Sequence, residues 1–98
     1  MFIEILKHTG EGINFQFMIN MNNVCFLGYD KDALLVKYIG RMSDEKYFFA
    51  DPVIVGNVYG AITSLVCMSC AGDKCYDRIE IEDENCANSH ITVEMMGR

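Results

Sequence analysis

The sequence predicts one α+β domain over residues 1–98: an antiparallel β-meander of four to five strands, one helix packed on it over about residues 52–70, and a C-terminal β-hairpin. Three observations predict it. Apolar residues recur at every second position in the first half and again in the tail, as in strands with one buried face. Between them, after Asp51, the apolar spacing lengthens to three and four residues, as on one side of a helix. Short polar turns separate the runs of the first half, and short turns favour antiparallel neighbours.

The elements follow in order. Residues 2–6 form a mixed apolar start, and residues 7–12 carry turn chemistry. Over residues 13–21 the alternation sets Ile13, Phe15, Phe17 and Ile19 against Asn14, Gln16, Met18 and Asn20. Asn22 and Asn23 suit a tight turn, residues 24–27 a short strand, and residues 28–32 its end. A third apolar run covers residues 33–40, a polar turn residues 41–45, and a further strand residues 46–50. Asp51 can cap a helix, Pro52 fits its first turn, and Ile54, Val58, Ile62 and Leu65 follow at helical spacing with Val55, Tyr59 and Val66 beside them. Local propensity opposes this helix, because Val, Ile, Thr and Gly are weak helix formers, and a strand over residues 52–55 competes with it. Gly56, Gly60 and Ser64 make a stripe of small residues along which a neighbouring element can approach closely, and Gly72 is a natural stop. In the tail, Ile79 and Ile81 alternate with Glu80 and Glu82, and Ile91, Val93 and Met95 with Thr92 and Glu94; residues 83–89 connect the two runs. Phe15, Phe17, Phe26, Tyr38, Tyr47, Phe48 and Phe49 are expected mainly in the core, and Cys25 with them; Met95 and Met96 would suit an adaptable interface.

Composition narrows the function. Hydrophobic residues are 51% of the chain, at the upper end of the usual range, so it is expected to fold and to cover some apolar surface with a partner or a second copy. The formal net charge is −6, and residues 51–98 carry most of the excess acid. Binding DNA or RNA directly needs a basic face that displaces counterions, and no run of Lys or Arg exists. The acidic stretch of Glu80, Glu82, Asp83 and Glu84 is instead a candidate interface for a basic protein surface, although acidity of this kind also serves plain solubility. The first residues lack the basic and long apolar regions of a signal peptide, so five cysteines point to a reducing cytoplasm. Residues 53–71 are uncharged and contain Gly56-x-x-x-Gly60, but Asn57, Thr63, Ser64 and Ser69 dilute the run and no basic cluster flanks it. A buried core helix is expected there rather than a membrane span.

The most specific chemical pattern is Cys67-x2-Cys70-x4-Cys75-x10-Cys86. Four thiolates could hold a tetrahedral zinc ion that would contribute folding energy, although the second half is not a Cys-x2-Cys knuckle. The alternatives are reduced cysteines acting as small apolar residues, or a disulfide such as Cys75–Cys86. A redox role for Cys67 and Cys70 is disfavoured, since a helix C-terminus does not stabilise a thiolate. His8 and His90, the only histidines, have no spacing that marks a catalytic pair or a metal site. Glu80, Glu82, Asp83 and Glu84 lack the spacing and mid-loop glycine of an EF-hand. No phosphate-cradling loop, nucleophile elbow or His-Glu-x-x-His pattern occurs.

Met1–Leu6, Ile19-Asn20-Met21-Asn22-Asn23-Val24, Leu34–Ile39 and Tyr47–Ile62 together resemble the small FlbD-type proteins found near bacterial flagellar genes. The resemblance covers residues 1–66 and rests on a succession of strands and a helix; residues 67–98, with four of the cysteines, lie outside it. It implies a small interaction protein without catalytic residues. The expectation is therefore a non-enzymatic, self-associating protein-binding module, in its most specific form a viral or mobile-element inhibitor that mimics nucleic-acid charge. A zinc-stabilised domain is the alternative.

Overall fold

The computed structural model describes residues 1–9, 12–68, 76–82 and 90–96. In chain order the elements are β1 (Phe2–Thr9), β2 (Gly12–Asn20), a 3-10 turn (Met21–Asn23), β3 (Val24–Asp30), β4 (Ala33–Tyr38), β5 (Glu45–Phe48), α1 (Pro52–Met68), β6 (Tyr76–Glu82) and β7 (His90–Met96). The fold is α+β with mostly antiparallel strands, and the expected strands, helix and terminal hairpin are all present. The expected helix end at residues 69–70, its stop at Gly72 and the loop over residues 83–89 lie outside the described residues.

The strands are divided between two sheets rather than running as one continuous meander: β2-β1-β6-β7 and β3-β4-β5. The division falls at the 3-10 turn. There the Asn20 side chain accepts from the Asn22 N–H at 3.1 Å, and the Met21 N–H donates to the Met1 carbonyl at 2.9 Å. These bonds satisfy backbone groups while the chain leaves one sheet and starts the next. The second departure is β6, which lies parallel to β1 and brings the hairpin into the first sheet. Strand β1 suits a central place because Ile3, Ile5 and Leu6 are all buried.

One core joins both sheets and the helix. Ile3, Ile5, Ile19, Ile79 and Ile81 come from the first sheet, Leu34 and Val36 from the second, and Ile54, Val55, Val58, Ile62 and Leu65 from α1. This explains why weak helix formers make a helix. Propensity costs at most about 1 kcal/mol per residue, whereas burying each large aliphatic side chain contributes roughly 1.5–3 kcal/mol. The start is also fixed locally: Asp51 Oδ1 accepts from the Val53 N–H at 2.7 Å, and the Asp51 carbonyl accepts from Val55 at 3.3 Å. Val66, expected beside the buried row, is exposed instead. Among the described residues no helix is long and apolar enough to cross a membrane.

Among the described residues the small-residue stripe does not bring another element close. A Cβ added at Gly56 or Gly60 would meet nothing within 4 Å. Gly60→Ala should therefore stabilise the protein by about 0.5–1 kcal/mol through helix propensity, read as a higher urea midpoint. A lower midpoint would mean that something packs on the stripe.

Aromatic and basic side chains join the sheets. The rings of Phe17 on β2 and Tyr47 on β5 stack with centroids 3.9 Å apart and planes 2° from parallel. Lys7 Nζ donates to the Phe48 carbonyl and sits 4.2 Å from the Phe49 ring centroid, tying β1 to the end of β5. Tyr29 on β3 meets Tyr59 on α1 at 5.1 Å. Burial, followed by the hydrogen bond with Tyr38, holds the Tyr47 phenol well above its ordinary value of 10.0. The unfolded chain thus loses this proton first, and the stability contributed is complete below pH 10 and falls as pH rises above it. Urea midpoints should drop with pH in that range, and Tyr47→Phe should remove part of the drop; an unchanged slope would place Tyr47 in contact with water.

Candidate functional site

The outer face of the first sheet carries Glu80 and Glu82 of the acidic stretch. Register places Glu4, Arg78 and Glu94 side by side on β1, β6 and β7, and Leu6, Glu80 and Thr92 in the next row. Directly opposed residues share a face, so these charges form one surface. Arg78 Nε donates to Glu4 Oε1 at 2.8 Å, and the Glu4 side chain is almost entirely buried. Arg78 Nη1 lies 3.7 Å from Glu80 Oε1. His8 Nε2 lies 3.4 Å from Glu80 Oε2, an electrostatic contact without hydrogen-bond geometry. Hydrogen bonding to Tyr76, then to Glu4, raises the Arg78 guanidinium above its usual value.

This network separates the expected interface residues. Glu80 is half-buried and turned into ion pairs within the chain, while Glu82 is exposed. Asp83 and Glu84 lie outside the described residues. Glu94 is exposed on the same face and joins Glu82; its place was legible in the alternation of β7, where it opposes Val93 and Met95. Phe2 and Met18 add exposed apolar surface, at 37% and 46%. Met95 is exposed on the face of β7 opposite Glu94, and the side chain of Met96 is not among those described.

Of the expected zinc ligands, Cys67 is free and exposed near the end of α1, and Cys70, Cys75 and Cys86 lie outside the described residues. Among the described residues no three His, Cys, Asp or Glu side chains converge to hold a metal.

The second sheet presents a face that the sequence reading missed. Phe26 and Phe48 are not core residues but are 53% and 61% exposed. Cys25 is exposed as well. The cause is a bulge in β3: Val24 pairs with Tyr38 but Phe26 with Lys37, leaving Cys25 as an extra residue. Val24 therefore packs against the core while Phe26 turns outward, breaking the alternation that a regular strand would keep. The Phe26 ring lies over Gly28, where an added Cβ would approach ring atoms to 3.1 Å. Leu35 and Lys46, opposed in register, occupy the same outer face with Lys37 and Phe48.

No family model, curated protein or solved structure matches the chain.

Proposed function

We propose that the chain is a non-enzymatic protein-binding module that meets other proteins with the outer faces of its two sheets. The observation that carries this reading is the surface: one face exposes Glu82, Glu94, Phe2 and Met18 around the Glu4–Arg78 pair, and the other exposes Phe26 and Phe48 beside Lys37 and Lys46. Apolar side chains gathered with charge of one sign are what a specific interface uses, the first for affinity and the second for selection and encounter rate. The acidic face suits a basic protein surface, and such contacts weaken as salt is added. The FlbD-type resemblance of residues 1–66 points the same way. With Cys25 and Cys67 free and exposed, a reducing cytoplasm is the setting in which the module would stay unmodified.

The test is cross-linking of the tagged full chain in its own cells, followed by mass identification of what is joined to it. A stoichiometric protein partner, lost from Glu82→Lys/Glu94→Lys or from Phe26→Ser/Phe48→Ser chains of unchanged circular dichroism, is expected. A chain recovered alone, or variants that keep the partner, would overturn the reading.

A further inference from the structure

Resting on that reading and extending it, we propose that the two faces are the halves of one self-association contact: the lysine-flanked aromatic face of the β3-β4-β5 sheet in one copy docks on the acidic face of the β2-β1-β6-β7 sheet in another.

The first support is charge complementarity. On the outer face of the three-stranded sheet Lys37 lies beside Phe26, Lys46 lies beside Leu35 and two residues before Phe48 on β5, and Asp30 is the acid in the Phe48 row. On the outer face of the four-stranded sheet, exposed Glu82 and Glu94 stand beside Glu80 and Glu4, and Arg78 answers the latter two. The excess is positive on one face and negative on the other, so a second copy offers each face its opposite. Like faces would repel.

The second support is that the aromatic platform is shaped by the backbone. The Cys25 bulge turns Phe26 out, and Gly28 lets its ring lie against the sheet. A ring already held in place loses little freedom on binding. Its counterpart on the acidic sheet is also apolar, with Phe2 and Met18 exposed, so the two surfaces match in apolar character as well as in charge.

Aromatic rings beside lysines would also suit stacking of single-stranded nucleic acid. The net charge of −6 opposes a polyanion, and the acidic face of another copy is present at equal concentration.

The deciding experiment is sedimentation velocity of the full chain at low and high salt, with charge reversals. The wild-type chain is expected to associate at low salt, as a closed dimer or a longer assembly, and to dissociate at high salt. Lys37→Glu/Lys46→Glu alone, and Glu82→Lys/Glu94→Lys alone, should each associate roughly a hundredfold more weakly. Mixing the two variants, or combining all four reversals in one chain, should restore association, which a misfolded variant could not do. A wild-type monomer at low salt, reversals that associate like wild type, or failure of the mixture to recover would overturn the proposal. So would binding of an oligothymidylate to the lysine face by a chain that stays monomeric. A monomer that still cross-links to a different protein through the same faces would leave the protein-binding reading standing and remove only self-association.

Discussion

Ile62→Ala should cost the domain about 2–5 kcal/mol. Ile62 is fully buried in α1 and belongs to the core that holds both sheets together. Truncation removes the transfer energy of the lost carbons and opens a cavity that two sheets and a helix cannot all close. A domain of this size is stable by only about 5–15 kcal/mol, so the variant should unfold at much lower urea and lose a large part of its melting temperature. Val53→Ala, on the exposed side of the same helix at 69% exposure, should change stability by less than about 0.5 kcal/mol. Equal effects at the two positions would mean that α1 is not docked as described.

Arg78→Ala should be the next most damaging change, read as a clear drop in the urea midpoint. The Glu4 side chain is 6% exposed and Arg78 29%, so the pair is neither a free surface ion pair nor a fully buried one, and its cost lies between those limits. Removing the guanidinium takes the Arg78 cation away from a Glu4 charge that sits in a poorly solvated place. Glu4→Gln combined with Arg78→Ala should therefore be more stable than Arg78→Ala alone, by an amount that a double-mutant cycle in urea reads directly. A double variant no better than the single one would place the cost of Arg78→Ala in lost packing of its methylenes instead.

Much of this fold is readable along the chain because it depends on neighbours in sequence. The spacing of Ile54, Val58, Ile62 and Leu65 carries the helix, the Asp51-Pro52 pair marks its start, and the alternation of residues 76–82 and 90–96 carries the hairpin. The partition of strands is different in kind. That β6 would pair in parallel with β1 depends on contacts about seventy residues apart, and local alternation does not say which strand lies beside which. The bulge at Cys25 is a further case. It inserts one residue without any Gly or Pro to announce it, and that single residue moves Phe26 from the expected core to the surface. The same reasoning explains the site. Glu82 and Glu94 were placed by alternation alone, whereas the lysine and aromatic face appears only once β3, β4 and β5 are paired and the bulge is known. The small-residue stripe misled for the opposite reason: Gly56 and Gly60 permit close approach, but none of the described residues packs on them.

The most direct test of the central claim, association through the sheet faces, is native mass spectrometry of the full chain purified without chelator and sprayed from low and high ammonium acetate. Association predicts masses at multiples of the chain, or chain plus a second protein, that collapse to single chains as salt rises. A single chain at every salt concentration, carrying the mass of one zinc ion that denaturation releases, would contradict it and make Cys67, Cys70, Cys75 and Cys86 the residues to examine.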